Sequence, residues 1–214
     1  MSTRAVTWWT DGIRSEWTLT VRPSKETPPP AAHPLADLDD RALVDASLAG
    51  RTEAFDVIVQ RHQQAVYRLC YRFARSREDA MDLSQDVFLR AYKGLGRFRG
   101  DSAFSTWLYR IAVNVCLNRA SIRSVRETPL DEAAHAAAGG IDAAAGLERR
   151  EERGRVRAAI ATLPAKQRAT IILRVYHDLS HEDIASVLGT SVGASKANLF
   201  HALGNLKRLL AAPR

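Results

Sequence analysis

Cysteine is scarce in these 214 residues: Cys70 and Cys116 are the two, and no CxxC pair accompanies them. A disulfide scaffold and a cysteine-ligated zinc site therefore lack support, and both residues read as small core side chains inside apolar stretches. Long apolar runs are missing as well. No segment reaches the roughly 20 residues a membrane helix needs, so no membrane insertion is expected. The first residues lack the basic, apolar and small-residue succession of a secretory signal, which makes the cytoplasm the expected location. No nucleophile with a partner base, metal-ligand cluster or phosphate loop emerges from the spacing. The expectation is a protein that is not an enzyme and needs no cofactor.

What is present is an ordinary soluble composition, 46% apolar and 26% charged, which argues against global disorder and leaves room for one large or two small domains. The formal charge of +7 hints at an acidic partner, and its distribution is more telling. Residues 1–35 carry +1, 36–127 carry +3, 128–148 carry −4 and 153–214 carry +7. Between positions 90 and 126, eight basic residues face one acid, Asp101. Two basic regions thus flank an acidic, Ala-rich spacer containing Gly139-Gly140. That spacer reads as a flexible linker over 128–150, or else as a poorly packed helix. Residues 1–35 end in three prolines and hold only a short alternating run, so a mobile tail is expected. Its tryptophans suit either docking on a partner or an extension without function.

The first module, 36–127, reads as helical. Phe55, Ile58, Val59, Val66, Leu69, Cys70 and Phe73 follow the three-and-four spacing of one helix face, with His62 on the same stripe as a core or boundary residue. Asp39 or Asp40 can cap a short helix before it, and Gly50 can end that helix. Ser76, three residues before Asp79, opens another helix, with Ala80, Leu83, Val87, Ala91 and Leu95 inward. Its outer face offers Asp82, Gln85, Asp86 and Leu89, a mixed acidic and apolar surface suited to a partner or simply to water. A basic loop with an aromatic, Arg97-Phe98-Arg99, follows. Ser102 can cap the next helix, where Phe104, Leu108, Ile111 and Val115 point to the core. Thr106, Arg110, Asn114 and Asn118 form a polar line there, flanked by Trp107 and Tyr109. Cations neutralise phosphate, rings stack on unpaired bases and Asn bonds base edges, so this set suits a single strand. The same pattern also suits a solvated face with Trp107 and Phe98 as core anchors.

The second module, 151–214, reads as helices through Val156, Ile160 and Leu163, then from Pro164 through Ile171, Ile172, Val175 and Tyr176. Ser180 with Asp183 signals another start, followed by Ile184, Ala185, Leu188 and a turn glycine, Gly189. A last helix runs from Val192 to Leu210. Small Ala185 with Gly189 four residues later fits a DNA-binding helix-turn-helix, with a plain αα-hairpin as the alternative. Val192, Leu199, Leu203, Leu206 and Leu210 are expected inward, and Lys196, Asn198, Phe200 and His201 toward a groove. The fold class expected is all-α, two small helical domains joined by a linker.

The string Asp82-Leu83-Ser84-Gln85-Asp86-Val87-Phe88-Leu89-Arg90-Ala91-Tyr92, followed by Phe98-Arg99-Gly100-Asp101-Ser102-Ala103-Phe104-Ser105-Thr106-Trp107-Leu108-Tyr109-Arg110-Ile111-Ala112-Val113-Asn114, closely resembles region two of extracytoplasmic-function sigma factors of bacterial RNA polymerase. Leu163 to Leu210 is similar to region four. The resemblance implies that Asp82, Gln85, Asp86 and Leu89 dock on core RNA polymerase, at the coiled coil of its beta-prime subunit, and that the beta subunit is a further contact. It implies that Phe98, Arg99, Trp107, Tyr109, Arg110, Ile111, Asn114 and Asn118 serve promoter melting. Within that set, Phe98, Tyr109, Ile111 and Asn114 correspond to the pocket for an extruded base of the nontemplate single strand. On the recognition helix it implies duplex promoter contacts by Ser195, Lys196, Asn198, Phe200 and His201. The family usually carries an apolar residue at the position of Ser195 and arginines at those of Ala197, Asn198 and His201, so base preference and phosphate affinity are expected to differ here. An anti-sigma factor and a stress or envelope response are implied by resemblance alone. The alternative from another class is a stand-alone helix-turn-helix regulator.

Overall fold

A computed structural model describes residues 34–74, 76–126 and 143–211; for 121–126 and 143–150 only the backbone is described. The tail reading for 1–35 and most of the linker reading fall outside the described residues. After a single 3-10 turn at Leu35–Asp37, the chain forms α1 (Asp40–Leu48), α2 (Thr52–Phe73) and α3 (Arg77–Gly94). A second 3-10 turn at Leu95–Arg97 leads to α4 (Phe104–Arg126). The second module contains α5 (Ala143–Ala161), α6 (Ala165–Tyr176), α7 (His181–Leu188) and α8 (Val192–Ala211). Among the described residues there is no strand.

Three of the expected helix starts have the expected chemistry. Asp39 accepts from the Ala42 amide at 2.7 Å, Ser76 from Asp79 at 3.0 Å and Ser180 from Asp183 at 3.0 Å, each satisfying an amide that no helical carbonyl can reach. Ser102 does not cap α4. Its hydroxyl donates to the Ala103 carbonyl instead, and that carbonyl accepts the Trp107 amide at 3.2 Å. Pro164 stands one position before α6 rather than at its first turn, with ψ at 143°. Helix α5 begins at Ala143, inside the segment read as linker to 150, because its Ala, Glu and Arg residues favour helix and outweigh the preceding glycines.

The first module is built on α2, whose predicted stripe from Phe55 to Phe73 is buried along its length. It packs against α1, α3 and α4. Cys70 and Cys116 meet in this core with their sulfurs 3.9 Å apart, as free thiols. The Cys116 contact and burial push the Cys70 thiol well above its ordinary range, so it stays protonated and unreactive. Replacing a fully buried residue such as Leu69 by Ala would cost about 2–5 kcal/mol.

In the second module, Ile171, Ile172, Ile184, Ala185, Ala202 and Leu206 make the core among α6, α7 and α8. Gly189 ends α7 in the left-handed conformation, φ 59° and ψ 45°, and the Thr190 amide closes back on the Ala185 carbonyl at 2.9 Å. Leu203, expected inward, is instead 51% exposed, and Val175 and Tyr176 also face outward. The buried line of α8 runs through Ser195, Ala202 and Leu206, so Leu203 falls past its edge. Leu35 to Arg214 form one compact unit, with α4 packed against α7 and α2 against α6.

Candidate nucleic-acid interface

Four surfaces carry the residues singled out by the sequence. On α3, Asp82, Gln85 and Leu89 are exposed and Asp86 is half-buried, a strip produced by the alternation of inward Leu83 and Val87 with outward polar positions. The Asp86 carboxylate accepts from Arg90 Nε at 2.9 Å one turn on. A shallow groove between α3 and α4 is lined by Asp82, Asp86 and Arg90, with Arg119 on its far side. Arg119 was not foreseen as part of this surface, since only the packing of α4 on α3 brings it there.

The loop before α4 turns at Gly100, whose φ is 77°, with the Arg41 guanidinium lying where a β-carbon would stand. This holds Phe98 half-buried in an aromatic cluster, its ring 5.3 Å from Phe104 and 5.6 Å from Trp107. Phe104 also contacts His62, which bonds Asp40 at 2.8 Å. Arg99 remains exposed beside the cluster.

Along α4, Trp107, Arg110, Ile111, Asn114 and Asn118 share one face, since steps of three and four residues return to the same side. Arg110, Asn114 and Asn118 are exposed there, and Trp107 and Ile111 are half-buried. Tyr109 lies on the opposite side, two residues or about 200° round from Trp107. Its hydroxyl is 3.3 Å from His177 Nδ1 and the rings are 5.1 Å apart. Thr106, expected on the polar line, is buried and bonds Asp183 at 3.4 Å. The structure therefore brings Phe98, Trp107, Ile111 and Asn114 toward one region and leaves Tyr109 out of it. Burial raises the Tyr109 phenol above its ordinary pKa.

On α8 the outward face offers Lys196, Phe200 and His201, with Phe200 76% exposed and its ring 5.7 Å from His201. Asn198 is half-buried at the edge. Ser195 is a correction: it is fully buried, and its hydroxyl meets His181 Nδ1 at 2.9 Å, so it fastens α8 to α7 and faces no groove.

The residues that build these surfaces, the acidic-apolar strip, the aromatic and amide face and the helix-turn-helix, fall within segments that match known families. Residues 58–126 match Sigma-70 region 2, and residues 153–206 match Sigma-70, region 4. The RNA polymerase sigma-H factor of Pseudomonas aeruginosa is 36% identical over 177 residues, covering 78% of this chain and 92% of that protein. The ECF RNA polymerase sigma-E factor of Escherichia coli K12 is 38% identical over 174 residues, covering 77% and 91%. The chain belongs to the extracytoplasmic-function sigma factors.

Structural comparison agrees. CnrH, solved in complex with the cytosolic domain of CnrY, superposes with a TM-score of 0.61 at 28% identity, covering 82% of this chain and 99% of that one. This sigma factor is all-α with region-two and region-four architecture, and it acts in transcription initiation. The stand-alone regulator is not favoured. Among the described residues, no helix is long and apolar enough to cross a membrane.

Proposed function

We propose that this sigma factor docks on core RNA polymerase through Asp82, Gln85, Asp86 and Leu89 of α3 and melts promoter DNA with the Trp107 face of α4. The observation that carries the reading is the exposed row Arg110, Asn114 and Asn118 beside the Phe98–Trp107 cluster. Rings, amides and cations stand together where an unpaired nontemplate strand can bind all three. Melting is then binding work: stacking of unpaired bases on aromatic rings, on the order of 1–3 kcal/mol per base, offsets the cost of unstacking the duplex. Lys196, Phe200 and His201 meet the upstream duplex element, where an exposed phenylalanine suits a thymine methyl. Asn198 flanks them.

The polymerase contact extends to the beta and beta-prime subunits, and the work is done in the cytoplasm, as binding rather than catalysis. An anti-sigma factor is the regulatory partner, a proposal that draws on the family to which the chain belongs. The test is run-off transcription with core polymerase. Wild-type protein should give promoter-specific transcripts, and failure to bind core would refute the reading. Leu89→Asp should weaken core binding about tenfold, while Asn114→Ala should lower open-complex formation more than core binding. Equal losses in both for Asn114→Ala would count against base capture.

A further inference from the structure

We infer that Arg41 of α1 is a further promoter contact: its guanidinium, laid on the turn at Gly100, binds a phosphate of the nontemplate strand beside the base that the Phe98 cluster takes up. The inference rests on the assignment of that cluster to the strand and adds a residue to it. Arg41 precedes residues 58–126, the segment that matches region 2, so the match gives it no role. The loop it touches owes its shape to side chains. Apart from the Phe98 amide on the Leu95 carbonyl and the Trp107 amide on the Ala103 carbonyl, residues 98–103 make no main-chain to main-chain hydrogen bond among the described residues. The Phe98 ring fastens the loop to Phe104 and Trp107, and Arg41 reaches across from α1 to Gly100. A β-carbon at Gly100 would stand 2.8 Å from the central guanidinium carbon, so the glycine leaves the space in which the cation rests.

The guanidinium is seated without being satisfied. Arg41 is exposed, and among the described residues no hydrogen bond or ion pair reaches it. The acids next to it in the chain are already engaged. Asp39 accepts the Ala42 amide at 2.7 Å, and Asp40 holds Arg61 at 3.1 Å and His62 at 2.8 Å. Asp45, one turn further along α1, is exposed and makes no ion pair with Arg41. A cation with a fixed seat and idle N–H donors is prepared for an anion, because little side-chain freedom is left to lose when the anion binds.

The surroundings select a phosphodiester as that anion. Arg97 and Arg99 flank Phe98 in the chain, and both are exposed without an ion pair among the described residues. Against these cations and Arg41 the loop sets one acid, Asp101. Phosphate oxygens match the planar fork of a guanidinium, which can bond two of them at once. The phosphate of a captured base lies within one nucleotide of the ring on which the base stacks, which places it over the loop that carries these arginines. Such a contact reads no base. It fixes the register in which the strand enters, so that the base beside it meets the Phe98 and Trp107 rings.

The experiment uses the full chain bound to core polymerase and a fluorescein-labelled nontemplate strand from a promoter that the holoenzyme transcribes, with anisotropy followed across a salt series. Arg41 is exposed on a helix, so Arg41→Ala preserves the fold. It should weaken strand binding about threefold at about 0.1 M salt and reduce the slope of log affinity against log salt by about 0.7, the share of one phosphate on a single strand. Arg41→Lys should keep the slope, and core binding should be the same for all three proteins. Strands that each carry one neutral methylphosphonate locate the contact. At one position the replacement should weaken the wild type about threefold and leave Arg41→Ala unaffected. An unchanged slope in Arg41→Ala, or equal losses in the two proteins at every position, would overturn the phosphate contact and leave the strand reading standing. A wild-type holoenzyme that binds no strand would remove that reading and the contact with it.

Discussion

Acidification should weaken this protein through His177. The ring is half-buried between the domains, and burial, with Arg68 and Arg72 of α2 nearby, holds its pKa down to about 4, against an ordinary 6.5. Asp178 acts the other way and Tyr109 of α4 faces the ring without charge. The folded state therefore keeps the imidazole neutral where the unfolded chain takes up a proton. Stability is fully present above about pH 6.5 and is lost progressively as pH falls toward 4. With water wholly excluded, the linkage would amount to about 2 kcal/mol at pH 5; screening at a half-exposed ring lowers this to about 1 kcal/mol. His177→Gln keeps a polar partner for Tyr109 and cannot titrate. Urea unfolding at pH 7 and pH 5 measures the difference: the wild type should lose about 1 kcal/mol more than His177→Gln, or about 0.5 M in midpoint. Parallel pH profiles for the two proteins would refute the reasoning.

Gly189→Ala should destabilise the second domain by about 1 kcal/mol in chemical unfolding, from the left-handed backbone alone, since a β-carbon there meets nothing closer than Arg110 at 4.0 Å. A neutral outcome would show that the turn can reorganise. Region four, with Lys196 as the cation among the recognition residues, should give a salt slope shallower by about one ion per missing arginine. Titrating holoenzyme binding to a promoter against salt, beside an arginine-rich relative, checks this, and equal slopes would contradict it.

Local signals were legible where neighbours along the chain settle the outcome. The α2 stripe and the caps at Ser76 and Ser180 depend on residues three or four apart, and each was readable in advance, while the cap of α1 was narrowed to Asp39 or Asp40 and proves to be Asp39. So was the turn at Gly189, because few other residues tolerate its backbone. The sequence strings around Asp82 and Phe98 carried the family. Misreadings cluster where a distant element decides. Thr106 looked like a member of an open polar line and Tyr109 like its flank, yet Asp183 of α7 covers the first and His177, just after α6, the second. Ser195 had the polarity of a contact residue, and only the approach of His181 shows that it is buried. Leu203 kept helical spacing with its neighbours but falls outside the stripe that α6 and α7 cover.

By itself, then, the sequence determined the course of most helices, the caps at Ser76 and Ser180, the segregation of basic charge and the sigma-factor family, since these follow from spacing, backbone preference and an extended motif. Tertiary structure decided which face of α4 stays open and which is covered by the helix-turn-helix. It also paired Cys70 with Cys116 and set Arg168 on the end of α2. The physical reason is that burial and electrostatic environment come from residues far apart in the chain. His177 is separated from Tyr109 by 68 positions, and nothing in either neighbourhood announces their contact.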